Sequence, residues 1–214
     1  MDTFIDYLQK RLTQPLPGRE AQFRMAHLDR RYLPLAPPDA RLAGVLALFY
    51  PKNEDWHIVF IERKMASHAK DRHGGQISFP GGKFEEGDGH LQQTALREAH
   101  EEVGVDHTKV NVLGRLTELY IPISNFLVNP FVGYVNYTPQ FSPQAEEVNG
   151  ILEVPFSVFC QPDARQKTEV LLGNQLKISN VPYFDVMGKV LWGATAMMMN
   201  ELVEVVGDFQ TVKL

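Results

Sequence analysis

The sequence predicts a mixed α/β (α+β) domain with an N-terminal helical arm, on three observations. Short apolar runs bounded by turn residues recur from residue 41 onward, the pattern of strands. Two longer segments, 89–103 and 191–206, carry apolar residues at helical spacing instead. Strands and helices interleave irregularly, without repeats or low-complexity tracts, which suits a mixed sandwich. The 214 residues, 44% hydrophobic and 22% charged, divide into an arm and connector over 1–40 and one domain over 41–214.

Phe4, Ile5, Leu8 and Leu12 fall at helical spacing ahead of Pro15 and Pro17, so residues 2–13 are expected to form an amphipathic helix. Five prolines over 14–40 predict an extended connector whose apolar residues lie on the body or on a partner subunit. Arg41–Tyr50 and Trp56–Glu62 read as neighbouring strands, with Pro51–Asp55 as the turn between them. Residues 64–76 are polar and read as a mobile loop, and Ile77–Phe79 as a short strand entering Pro80-Gly81-Gly82. A helix follows from Gly89 to Val103, with Asp88 as its N-cap and Gly104 as its stop. Strand-like runs occupy 109–121, 126–137 and 146–154, and Val154–Phe159 turns into a short helix. Gly173-Asn174 within 166–178 is a hairpin signal. A last helix spans 191–206, with Leu191, Trp192, Met198, Leu202 and Val205 inward, and Met197-Met198-Met199 as packing.

Composition excludes several classes. The single cysteine, Cys160, closes no internal disulfide and builds no thiolate metal site; it reads as a small core residue. A net charge of -5 argues against nonspecific nucleic-acid binding. The longest apolar run, Leu42–Tyr50, is far below the roughly 20 residues of a membrane span. No basic region followed by an apolar stretch opens the chain, so a cytoplasmic protein without a membrane association is expected. The arm and the Met-rich last helix favour a homodimer by hydrophobic economy.

The chemistry is concentrated in residues 79–104. At about 100° per residue, Leu91, Ala95, Leu96, Ala99 and Val103 share one face of the helix. Glu102 falls inside that apolar arc and Glu98 at its edge, while Glu101 faces the other way. A solvated acidic face belongs opposite the apolar stripe, so Glu98 and Glu102 conflict with that reading. Two carboxylates four residues apart on the core side repel unless a cation lies between them, and a hard divalent ion meets that need. Pro80-Gly81-Gly82 alone is an ordinary turn; joined to this helix, its glycines let backbone approach a phosphate or metal. Arg97 is expected to pair with Glu85 or Glu86 and fix the loop against the helix.

Gly82, Asp88 and Arg97-Glu98-Ala99-His100-Glu101-Glu102-Val103-Gly104 resemble the Nudix box, with Asp88 in place of its middle Glu and one extra residue before Arg97. Both departures resemble the coenzyme A pyrophosphatase branch. So do Arg63, the run Gly75-Gln76-Ile77-Ser78-Phe79-Pro80-Gly81-Gly82, and Thr94-Ala95-Leu96-Arg97-Glu98-Ala99. The loop after Arg63 is longer than the branch's, and Asp71, between Lys70 and Arg72, stands near where that branch has a basic residue. The resemblance covers about residues 40–205, its specific motifs 63–104.

The resemblance implies an αβα sandwich with a mixed sheet and metal-dependent hydrolysis of a nucleoside-linked diphosphate. In that branch the substrate is coenzyme A or an acyl derivative, cleaved to 3′,5′-ADP and a 4′-phosphopantetheine product. ADP-ribose, a dinucleotide or another nucleoside diphosphate derivative is the near alternative, a non-catalytic nucleotide sensor the distant one. Glu98 and Glu102 are expected to hold Mg2+ or Mn2+ with the Gly81 carbonyl, and Glu101 to serve a second metal position. Glu101, Arg97 and Glu147 form the expected catalytic set, Glu147 as base or else as a plain surface acid. Arg63, Arg72, Lys83 and Gly82 are the expected phosphate contacts, with His68 and His73 as bystanders. Tyr120–Phe126 either lines the pocket for the base or pantetheine or packs as a strand edge.

Overall fold

A computed structural model describes residues 3–27, 35–64, 75–171, 177–207 and 209. Helix α1 (Thr3–Leu12) buries Phe4, Ile5, Leu8 and Leu12, as their spacing requires. The connector is not wholly extended: α2 (Gly18–Phe23) forms directly behind Pro17. A proline is compatible with the start of a helix, where its missing N–H is not needed.

The central sheet is built on β1 (Arg41–Lys52), which pairs antiparallel with β2 (Asp55–Arg63) through a turn of only Asn53 and Glu54. Both turn residues have positive φ, 51° and 59°, the geometry of a tight hairpin rather than the five-residue turn expected. After β3 (Ile77–Ser78) and β4 (Gly81–Lys83), a 3-10 turn at Glu86–Asp88 leads into α3 (Leu91–Val103). Strands β5 (Asn111–Arg115), β6 (Leu119–Ile121), β7 (Phe126–Tyr134) and β8 (Val148–Pro155) follow, then a 3-10 turn at Phe156–Cys160. β1 and β7 run parallel, Arg41 opposite Phe126 to Phe49 opposite Tyr134, so the eight-stranded sheet is mixed. A second sheet has β9 (Arg165–Leu171), β10 (Lys177–Val186) and β11 (Lys189–Trp192) in the order β11-β10-β9. β9 and β10 pair as the hairpin signal implied; its turn lies outside the described residues.

Helix α4 (Gly193–Val206) starts two residues later than expected, because Leu191 and Trp192 belong to β11. It is buried almost all round, including Met197, Met198 and Met199. Alternation along β1 explains the layers. Ala43, Ala47 and Phe49 join the core shared with α1 and α4, whereas Leu46, Leu48 and Tyr50 join the core under α3. The sheet is thus covered on both faces, the sandwich expected. The arm and the methionines find their cover within this one chain. Cys160 is exposed rather than in the core, because the turn leaving β8 buries Phe156 and Phe159 instead. Among the described residues, no helix is long and apolar enough to cross a membrane.

Candidate active site

Helix α3 places the acids. Its N-cap is His90, whose Nδ1 accepts from the Gln93 N–H at 3.2 Å, so Asp88 is not the cap. Asp88 sits in the preceding 3-10 turn, where a tertiary partner claims it. Its carboxylate accepts from Arg97 Nε (2.7 Å) and Nη2 (3.0 Å), the Thr94 hydroxyl (2.8 Å) and the Glu85 N–H (3.0 Å). Those donors, Arg97 first, hold Asp88 well below the usual carboxylate range. Arg97 therefore pairs with Asp88, not with Glu85 or Glu86. It fixes loop to helix as expected, through a different acid, and also donates to the Lys83 carbonyl at 3.2 Å. Its remaining nitrogen, Nη1, donates to Glu98 Oε1 (3.1 Å) and Glu101 Oε2 (3.0 Å).

The three glutamates sit as the helical phase demanded. The Glu102 side chain is 2% exposed, Glu98 14% and Glu101 49%. Glu102 Oε2 accepts the Gly81 N–H at 2.8 Å, and Oε1 lies 3.6 Å from Arg63 Nη1. Burial pushes Glu102 up to about 7, with the Glu98 and Glu147 charges adding and Gly81 and Arg63 opposing. Burial likewise raises Glu98; Arg97 opposes, while Glu101 and Glu147 reinforce. A Cβ on Gly82 would lie 2.4 Å from the Glu98 carboxylate, so any larger residue there would push that carboxylate out of its present position.

Glu147 is exposed on the turn before β8, yet its charge is felt by both Glu98 and Glu102. Two backbone bonds bring that turn in: Lys64 N–H to the Glu147 carbonyl at 2.7 Å, and Gln144 N–H to the Glu102 carbonyl at 3.1 Å. Arg63, Gly81, Gly82, Lys83, Arg97, Glu98, Glu101, Glu102 and Glu147 all line one cleft of about 610 Å3. Arg72, His68 and His73 lie outside the described residues. Of the 120–126 stretch, Ile121, Ile123, Ser124 and Phe126 line the cleft, which favours its pocket reading over simple edge packing. Sequence reasoning missed three further wall residues: His27 from the connector, and Trp192 and Thr195 from the β11–α4 junction. No local pattern marks them, since only the tertiary fold brings both chain ends to this cleft.

The donor set is all carboxylate and backbone oxygen, which suits a hard divalent cation and not a soft one. Among the described residues no three His, Cys, Asp or Glu side chains form a ready-made metal cage. Glu98 and Glu101 turn oxygens toward Arg97, while Glu102 stays raised by burial. Two desolvated carboxylates facing a third are costly as they stand, and a divalent charge among them would remove that cost.

Known proteins resemble this chain. The NUDIX domain family model matches residues 40–167. The uncharacterized Nudix hydrolase NudL of Photorhabdus laumondii is 32% identical over 183 residues, covering 83% of this chain and 94% of its own. NudL of Yersinia enterocolitica is 34% identical over 62% of this chain and 67% of its own. Two solved structures share the fold: RenU, a Nudix hydrolase from M. smegmatis, and a MutT/nudix family protein from Enterococcus faecalis. RenU aligns over 80% of this chain and 89% of its own with a TM-score of 0.54 at 17% identity. The Enterococcus protein aligns over 88% and 78% with a TM-score of 0.51 at 12% identity. Nudix hydrolases generally use divalent metal ions. The chain belongs to the Nudix family and is an enzyme of its hydrolase class, a pyrophosphatase.

Proposed function

We propose that this enzyme hydrolyses the diphosphate bond of coenzyme A or an acyl-coenzyme A, using Mg2+ or Mn2+, to 3′,5′-ADP and 4′-phosphopantetheine or its acyl derivative. The observation that carries the reading is the desolvated Glu98–Glu102 pair lining a cleft that also holds the cations Arg63 and Lys83 and apolar side chains such as Ile121, Phe126 and Val128. The branch-like motifs over 63–104 support the substrate. A divalent ion bound at these acids would neutralise diphosphate charge and lower the pKa of the attacking water.

Glu98 and Glu102 would hold that ion with the Gly81 carbonyl, and Glu101 would serve a second position. Arg97, anchored on Asp88, aims the Glu98 and Glu101 carboxylates, so its part is positioning. Glu147, at the rim, takes the proton from water. Arg63 and Lys83, which line the same cleft, would meet phosphate oxygens, Gly82 allows close approach, and Arg72 is assigned to the same task. Positioned charge and an aimed water are most of what diphosphate cleavage requires.

Incubation with coenzyme A and Mn2+ or Mg2+, followed by chromatographic separation, should yield 3′,5′-ADP. Cleavage of ADP-ribose or a dinucleotide in the same panel, with coenzyme A left intact, would replace the substrate while keeping the chemistry.

A further inference from the structure

The acid cluster occupies one part of the cleft; the first turn of α4 occupies another. Gly193, Ala194 and Thr195 line the cleft at the start of this 14-residue helix. The N-cap position is Trp192, and no side chain caps the turn. A helix start exposes N–H groups and the positive end of the helix dipole, and both demand an acceptor. Two hydroxyls point to the same need. Thr195 is only 7% exposed, and among the described residues its hydroxyl has no hydrogen-bond partner. The Ser78 hydroxyl, on β3 beside β11, is buried with no partner among the described residues, and Ser78 lines the same cleft. A buried polar group is rarely left so, and here the Ser78 hydroxyl, Thr195 and an uncapped helix start share one cleft. The ring of His27 meets Trp192 edge-on, with centroids 6.0 Å apart, on the adjoining wall.

We propose that the first turn of α4, with Thr195 and Ser78, is an anion subsite. It takes a phosphate monoester on the substrate, separate from the diphosphate that is cleaved. The inference rests on the diphosphatase reading and narrows it to diphosphates that carry a further phosphate. The same cleft also carries the apolar side chains Ile121, Phe126, Val128 and Met198.

The test compares coenzyme A with dephospho-coenzyme A, which lacks only the extra phosphate, on wild type, Ala194→Asp and Thr195→Val. An Asp in the first turn favours the helix itself, so A194D should melt no lower than wild type while placing negative charge at the anion position. The wild-type preference for coenzyme A in kcat/KM should fall about tenfold in A194D and about threefold in T195V. No wild-type preference, an unchanged preference in both variants, or equal loss on both substrates would overturn the subsite. If wild type cleaves neither compound, the substrate reading is what has gone, and binding alone decides the subsite. Adenosine 3′,5′-bisphosphate should then bind the full chain more tightly than adenosine 5′-monophosphate by calorimetry, with the difference abolished by A194D; equal affinities would overturn the proposal.

Discussion

Among the described residues two glutamates lie buried, and their surroundings separate structure from chemistry. Glu201 on α4, 0% exposed, is met by donors alone. It accepts from the Gly18 N–H (3.2 Å), Gln22 Nε2 (2.8 Å) and the Thr117 N–H (3.1 Å), tying α2 and the segment before β6 to α4. Neighbouring Asn200 extends the seam, donating to the Ala21 carbonyl at 2.6 Å and accepting from Arg165 Nε at 2.6 Å. Glu102 on α3, 1% exposed, has one N–H and a distant guanidinium, and it faces the negative charges of Glu98 and Glu147. A buried carboxylate satisfied by N–H groups is a fastener; one set against its own kind is a site kept for a cation.

Exchanging the two carboxylates for neutral groups should produce opposite phenotypes. Glu102→Gln should lower kcat about a thousandfold, since it removes an oxygen on which the reactive ion depends. Its melting temperature should hold or rise, because an ill-solvated charge has gone. Glu201→Ala should leave kcat per folded molecule within about threefold, yet cost about 3 kcal/mol by removing the shared acceptor of the Gly18 N–H, the Thr117 N–H and Gln22 Nε2. Denaturant titration and steady-state kinetics on both variants read the contrast, which a stability loss in Glu102→Gln with retained turnover would break.

Asp88 is an intermediate case, a buried acid that is paired and acts through its partner. Asp88→Asn should cost about 2 kcal/mol and lower kcat more modestly, by loosening Arg97 from Glu98 and Glu101. Because its folded pKa is depressed, the stability it contributes is full above the unfolded value near 4. That stability is lost as pH falls toward the folded value. Wild type should therefore lose stability more steeply than D88N on acidification below about pH 4, in melts recorded at stepped pH.

The same contrast governs what was legible in the sequence. Glu102 within the apolar arc of α3 was readable because helical phase is a local property, and with it came the inward Glu98 and the outward Glu101. Asp88 was misread as a cap: its spacing before the helix is right for one, but Arg97, nine residues on, outbids the helix amides. The short α2 was hidden by the prolines around it, and its stability derives from Glu201 and Asn200, about 180 residues away in sequence. Thr195 and His27 carry no local signal at all, since their relevance depends on both chain ends reaching one cleft.

Mn2+ binding to the wild type and to Glu102→Gln, followed by calorimetry between about pH 5.5 and 8.5, tests the central claim most directly. Protonated Glu102 cannot ligate, so wild-type affinity should climb as pH rises through about 7 and level off above it, while Glu102→Gln binds weakly without that climb. Wild type that takes up no Mn2+ at any pH, or a variant that binds as tightly and with the same pH profile, would contradict the account.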